Sequence, residues 1–158
     1  MTAVQRGVLP VVASLLNARR PRVEIDLSKG NGFTALFYAM DLPQVSILQA
    51  LLRRGANPNK VLKSDGNKGN TPLHVATRLE KREHAKMLLD YGALPHVANA
   101  YGQTPLQLLP RGAVVSTKRA FKRHFEEAAA RLAQAAKDGL ELPSGNKVPI
   151  GKGGNGEL

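Results

Sequence analysis

The chain has 158 residues, a formal net charge of +11 and 42% hydrophobic residues, which suits one globular domain with a sizeable core. It contains no cysteine, so a disulfide scaffold, a thiolate metal site and a cysteine nucleophile are excluded. The basic excess is spread along the chain and attracts acidic proteins, nucleic acid and anionic membranes alike, so it does not choose among them.

In chain order, Val4, Val8, Leu9, Val11, Val12, Leu15 and Leu16 recur at spacings of three and four, which predicts a helical face over residues 4–19 with a kink or break at Pro10. Arg6 and Pro10 interrupt this mildly apolar start and no small-residue cleavage site follows, so it does not read as a signal peptide. No apolar run in the chain approaches the ~20 residues of a membrane span. Residues 21–31 are expected to form a loop or β-turn finger, with Val23, Ile25 and Leu27 alternating with polar neighbours.

A helix pair follows. The first helix is expected at about Thr34 to Met40, burying Leu36 and Ala39; the second follows Pro43 and buries Val45, Ile47, Leu48, Leu51 and Leu52. It ends in Leu51-Leu52-Arg53-Arg54-Gly55-Ala56, and Asn57-Pro58-Asn59 is a polar exit. Lys60 to Asn70 is a loop by composition, readable as a tolerated insertion or as a specificity loop. Its Asp65-Gly66-Asn67 lacks the further carboxylates that Ca²⁺ requires.

The second pair opens with Gly69-Asn70-Thr71-Pro72-Leu73-His74-Val75-Ala76. Helices are expected from Thr71 to Arg78 and from about Lys81 to Tyr91, with Leu73, Val75, Ala76, Ala85, Leu88 and Leu89 inward, Met87 a softer contributor and Glu83–Lys86 an i,i+3 pair. Gly102-Gln103-Thr104-Pro105-Leu106 starts a third unit, which Pro110-Arg111-Gly112 stops early. Ser116 or Thr117 is then expected to cap a long helix to about Lys137. Its apolar stripe is Phe121, Phe125, Ala128, Ala129 and Leu132, and its opposite face carries Lys118, Arg119, Lys122, Arg123, Arg131 and Lys137. Residues 138–158 are too rich in Gly, Pro, Asn and Lys to pack and read as a flexible tail.

These units repeat. Thr71 and Thr104 are 33 residues apart, and Thr34 to Leu51 and Thr71 to Leu88 both span 17. Thr34 to Thr71 is 37, a period plus four, the extra residues falling between Gly55 and Gly69. With the Thr-Pro-Leu-His-x-Ala motif at 71–76, residues 30–109 resemble the ankyrin-repeat family. The resemblance implies an all-α, short ankyrin-repeat solenoid of helix-turn-helix repeats with β-turn fingers. It would be capped by an N-terminal half-repeat (1–29) and the long C-terminal helix, with repeats at about 30–68, 69–101 and 102–137 in a domain spanning 1–137. Thr serves such a repeat as helix N-cap, Pro as first helical residue, and His74 as a bond to neighbouring backbone. Phe37 and Ala35 stand where His and Pro are usual, so the first repeat is expected to be less regular but folded.

No catalytic, cofactor-binding or metal-binding constellation emerges. His74, His84, His96 and His124 lack metal-ligand spacing, with His84 read as packing; no Gly-x-Ser-x-Gly or kinase set occurs. Gly145 to Lys152 has the wrong spacing for a phosphate loop. The resemblance therefore implies a non-catalytic adaptor, scaffold or inhibitor, monomeric on its own, that binds another protein of acidic character. The binding face would be the concave one, made by finger tips and the exposed ends of first helices. It nominates Phe33, Asp41 and Leu42, then Asn67, Lys68, Asn70, Arg78 and Leu79, then Ala100, Tyr101, Gln103 and Arg111. Phe33, Leu42, Leu79 and Tyr101 are expected to face solvent. The alternative is nucleic-acid or anionic-surface binding by the basic helix and tail, against which stands the lack of aromatics interleaved with its cations. A cytoplasmic setting is expected; the family also includes proteins delivered into host cells, and no delivery signal is recognisable.

Overall fold

The computed structural model describes residues 24–28 and 30–139. Most of the expected half-repeat, with its Leu15–Leu16 helix end, and the expected tail beyond Gly139 lie outside the described residues. Five α-helices and a 3₁₀ turn follow one another: α1 Ala35–Ala39, α2 Val45–Arg53, α3 Pro72–Arg78, α4 Arg82–Asp90, the 3₁₀ turn Pro105–Leu108, and α5 Val115–Lys137. No β-strand occurs among the described residues. α1 packs on α2 and α3 on α4; α4 lies between α2 and α5, so the second helices form one layer and the first helices with the 3₁₀ turn another. The shared core runs through the stack and includes Leu36, Met40, Ile47, Leu48, Leu73, Leu88 and Phe121, none of them measurably exposed.

The helix starts show why the pairs differ. At α3, Thr71 and His74 form a reciprocal capping box, and Pro72 occupies the first helical position. At the 3₁₀ turn, Thr104 and Gln107 make the same box, the Gln107 Oε1 accepting the Thr104 N–H at 2.8 Å. At α1, Phe37 offers no acceptor and the buried Thr34 hydroxyl has no partner. That helix has 5 residues against 7 in α3, the irregularity expected of the first repeat.

The fingers between the pairs are tied by backbone. Within the longest, Gly69 N–H donates to the Leu62 carbonyl at 2.8 Å and Leu62 N–H to the Asn70 carbonyl at 2.9 Å. Between fingers, Lys63 N–H donates to the Asn31 carbonyl and Ala100 N–H to the Lys68 carbonyl, both at 3.0 Å. Gly32 and Gly69 sit at these crossings with φ of +82° and +80°, and a Cβ on Gly69 would lie 2.6 Å from the Ala100 amide nitrogen. Gly102 has the same backbone conformation, φ +72°, with nothing within 4 Å of where its Cβ would stand. A side-chain tie runs beside this one: Asp26 accepts the Asn57 N–H at 3.0 Å, and Asn59 accepts the Leu94 N–H at 2.9 Å.

The last helix departs from expectation in detail. α5 begins at Val115, with Val114 extended ahead of it, so Ser116 and Thr117 lie inside the first turn and do not cap it. The Pro110–Ala113 turn, closed by a 3.0 Å bond with Ala113 buried, sets that earlier start. Phe121, Phe125 and Ala128 are buried, whereas Ala129 and Leu132 are half-buried because α5 outruns the shorter α4 it packs against. Val45 is likewise half-buried. The expected Glu83–Lys86 pair is replaced by Lys86–Asp90 at 3.2 Å, and Arg131 reaches the same carboxylate from α5 at 2.9 Å. Burial alone would push the Asp90 carboxyl up; the Arg131 and Lys86 bonds outweigh it and hold the group below its ordinary range.

Two outcomes follow in urea melts. Phe125→Ala should cost about 3–5 kcal/mol, and Leu132→Ala distinctly less because it is already half-exposed. Gly102→Ala should cost about 1–2 kcal/mol from its φ alone, and Gly69→Ala more, because the neighbouring finger must also move. Equal losses within either pair would refute the burial or crossing argument for that pair.

Candidate functional site

The fingers and the first helices hold most of the nominated residues, and hydrogen bonds fix how that face is built. His74 is central. Its Nδ1 accepts the Thr71 N–H at 3.1 Å and lies 2.9 Å from the Thr71 hydroxyl. Its Nε2 lies 2.9 Å from the Gln103 carbonyl. A carbonyl only accepts, so Nε2 carries the proton and Nδ1 is the bare acceptor. One neutral imidazole therefore joins the start of α3 to the finger of the next unit. Burial pushes its pKa down, and the Gln103 bond opposes this only in part.

An amide network extends from this point. Asn99 Nδ2 donates to Asn70 Oδ1 at 2.8 Å, and Asn99 Oδ1 accepts both the Tyr101 and Gln103 N–H groups at 2.9 Å. Asn70 Nδ2 donates to Asn67 Oδ1 at 3.2 Å, where Arg78 Nη1 also donates at 2.8 Å. Arg78 is thus a strut from the end of α3 to the finger. Its side chain is exposed yet oriented, which lowers the entropy lost when a partner is bound.

The nominated residues separate into two groups. Leu79 (42% exposed) and Tyr101 (56% exposed) present apolar surface to solvent, Arg78, Ala100 and Gln103 are exposed beside them in sequence, and the exposed Lys68 is joined to Ala100 through its carbonyl. Phe33 and Leu42, expected to face solvent, are half-buried instead. The Phe33 ring lies 5.7 Å from Phe37 and 5.8 Å from Tyr38, and Leu42 packs on the core. Phe37, lacking the polar role of His74, draws Phe33 inward as a ring partner. Asn70 is 3% exposed and serves the network, while Asn67 is half-buried with its Oδ1 already engaged. Asp41 is exposed at the end of the first helix hairpin, and Lys81 Nζ donates to the adjacent Leu42 carbonyl at 2.9 Å. Arg111 is exposed but belongs to the α5 start, where its carbonyl accepts from Lys118 Nζ at 2.8 Å.

Sequence reasoning missed Leu62, Asn99 and the Asp26/Asn59 pair. Leu62 is 2% exposed and anchors the finger read as a plain loop. Asp26 and Asn59 are 33 residues apart, the repeat period, and that spacing was the available signal. Among the described residues, no group of three or more His, Cys, Asp or Glu is placed to hold a metal ion, and no helix is long and apolar enough to cross a membrane.

Comparison with known proteins accords with this geometry. A family model described as ankyrin repeats (3 copies) matches residues 1–99. A putative ankyrin repeat protein of fowlpox virus is 33% identical over 108 residues, 68% of this chain and 17% of that protein. Human ankyrin repeat and SOCS box protein 9 is 34% identical over 77 residues, 49% of this chain and 24% of that protein. The crystal structure of the human ASB11 ankyrin repeat domain superposes with a TM-score of 0.59 at 28% identity, covering 77% of this chain and 51% of that one. The matched stretches thus span about a quarter or less of these two sequence relatives and about half of the solved chain.

The His74 geometry carries a pH dependence. The folded state keeps His74 and the similarly buried His84 neutral, with Lys81 also lowering the latter. The unfolded chain protonates them below about pH 6.5. Their contribution is therefore complete above that pH and is lost as pH falls through the lowered folded values. His74→Gln, which supplies the acceptor that Gln107 supplies in the third unit, is expected to flatten the fall in urea midpoint between pH 7.5 and 5. An unchanged slope would exclude His74 as a source.

Proposed function

The chain belongs to the ankyrin-repeat family, and from that premise we propose that it acts as a non-catalytic recognition module that docks a partner protein on the face formed by its fingers and first helices. Ankyrin repeats are generally protein–protein interaction modules, in a fold that binds rather than catalyses. The observation that supports the reading here is the pairing of exposed Leu79 and Tyr101 with an Arg78 already oriented by Asn67. Apolar and aromatic anchors beside arginine are the side chains that dominate interface energetics. Lys68, Gln103 and Ala100 complete the surface, with Asp41 and Arg111 at its margins. Phe33, Leu42 and Asn70 support it from below and are left out of the contact set. The same reading takes the domain as 1–137, a monomer acting inside the cell, whose partner has acidic character to match Lys68 and Arg78.

Nucleic-acid binding by α5 is the weaker reading. Two of its cations are matched by acids one turn on, Lys122–Glu126 and Arg123–Glu127, both at 3.8 Å, and those carboxylates would face a phosphate backbone.

Affinity capture from lysate separates the two readings. The wild-type chain should retain a protein at high salt, and Leu79→Ser/Tyr101→Ser should lose it while melting within a few tenths of a kcal/mol of wild type, as exposed positions do. Retention of nucleic acid only, stripped from both proteins by salt, would overturn the proposal.

A further inference from the structure

The fingers join one another through a junction that recurs, and its third copy is open. In the first copy, Lys63 N–H donates to the Asn31 carbonyl beside Gly32. In the second, Ala100 N–H donates to the Lys68 carbonyl beside Gly69. Two side chains reinforce the second copy: His74 Nε2 donates to the Gln103 carbonyl at 2.9 Å, and Asn70 Oδ1 accepts from Asn99 Nδ2 at 2.8 Å. The period of 33 carries these groups into the third unit, Lys68 to Tyr101, Gly69 to Gly102, Asn70 to Gln103 and His74 to Gln107. All four of the third set are exposed. None of the described residues donates to the Tyr101 carbonyl. Gln107 Oε1 holds the Thr104 N–H, as His74 Nδ1 holds that of Thr71, which leaves the Gln107 Nε2 donor without an acceptor among the described residues. Gly102 keeps the left-handed backbone at φ +72°, with nothing within 4 Å of where a Cβ would stand. At Gly69 the same space holds the Ala100 nitrogen, 2.6 Å from a Cβ.

We propose that this open edge takes a backbone turn of a partner protein, seated as the third finger is seated on the second. The proposal rests on the protein-docking reading above and names how that partner engages the Tyr101 end of the face. One N–H of the turn donates to the Tyr101 carbonyl. A carbonyl three residues further on accepts from Gln107 Nε2, the interval that separates Ala100 from Gln103 in the filled junction. The turn passes over Gly102, where no side chain stands in its way. Main-chain hydrogen bonds at an open edge supply affinity without asking for particular side chains. The junctions inside the chain identify the occupant, because both equivalent edges receive a backbone N–H from a polypeptide. A phosphate backbone has no N–H to offer the Tyr101 carbonyl. A second copy of the chain fits less well, because the Lys63 and Ala100 N–H groups, which fill such edges, are already bonded within it.

The test is an NMR titration of the full chain with a cyclic peptide carrying Asn-Ala-Tyr-Gly-Gln, the sequence of residues 99–103, beside the same peptide N-methylated at its alanine. The unmodified peptide should shift the Gly102 and Gln103 amides and the Gln107 side-chain amide. N-methylation removes one donor and leaves the protein untouched, and should weaken binding about fivefold or more, as loss of one hydrogen bond implies. Gln107→Glu should weaken it as much: its carboxylate still accepts the Thr104 N–H, as in an ordinary capping box, but donates nothing. Gly102→Asn should abolish binding, since asparagine tolerates the left-handed backbone yet fills the gap. Both variants should melt close to wild type, and Leu79→Ser, in the second unit, should leave the affinity for the peptide unchanged. Absence of shifts at Gly102 and Gln103 would overturn the proposal, as would equal binding of the N-methylated peptide or undiminished binding by either edge variant. A concentration-dependent dimer of the wild-type chain, abolished by Gln107→Glu, would make a second copy the occupant and overturn it too. A lysate protein lost by Leu79→Ser/Tyr101→Ser but retained by Gln107→Glu and Gly102→Asn would leave the docking face standing and sink the open edge alone.

Discussion

The array depends on a hydrogen bond between units, and His74 shows its form. A helix pair of this length cannot bury its own apolar face, so each unit is stable only against its neighbours. Packing alone would let short helices slide or rotate. The imidazole prevents this by accepting from the start of its own helix through Nδ1 and donating to the next finger through Nε2. The helix start and the following finger then share one rigid group. The Lys63–Asn31 and Ala100–Lys68 backbone bonds, with glycine at each crossing, repeat the constraint in the fingers. Asp26 and Asn59 repeat it by accepting from Asn57, beyond α2, and from Leu94, beyond α4.

This arrangement also explains how much was legible. The Thr-Pro-Leu-His motif, its spacing and the Leu-Leu-x-x-Gly-Ala endings, Leu51 to Ala56 and again Leu88 to Ala93, reported the repeat because each residue answers a local backbone demand that recurs with the unit. The Thr34/Phe37 departure was readable for the same reason: a missing acceptor in a known box leaves a hydroxyl without a partner. What was not legible depended on contacts between units. Phe33 and Leu42 look like surface anchors in one dimension, but rings at Phe37 and Tyr38 draw the first inward and the core takes the second. Asn70 appears to be a finger-tip polar residue until Asn99, 29 residues away, is seen to bond it. Exposure is a property of neighbours, and the motif says nothing about which neighbours a particular array supplies.

On the C-terminal side of the described stack, the helix layers and the finger layer end differently. At the C-terminal side, α5 replaces a second helix, covers the core with Phe121, Phe125 and Ala128, and is clamped to α4 through the Asp90 carboxylate by Arg131. Its outward face is charged, so the helix layers end there. Among the described residues the finger layer has no equivalent cover: Gly102 keeps the backbone conformation of Gly32 and Gly69, with open space where a neighbour would stand. Tyr101, immediately before it, is correspondingly the most exposed aromatic among the described residues. The exposure of Tyr101 follows from the open space beside Gly102 and costs the core nothing.

Charge placement on α5 completes the argument. A helix selected only to cap a stack would gain from acids in its first turn and cations in its last. α5 has Lys137 at its end, as expected, but its opening turns hold Lys118, Arg119, Lys122 and Arg123, with acids deferred to Glu126 and Glu127. The salt bridges from Lys122 and Arg123 to those acids are long and exposed, and exposed pairs contribute little. Capping therefore accounts for Phe121, Phe125 and Ala128, but not for the cations or for two exposed valines ahead of them. Surface features that stability does not favour are where function is most reasonably sought, and here they coincide at the uncapped start of α5.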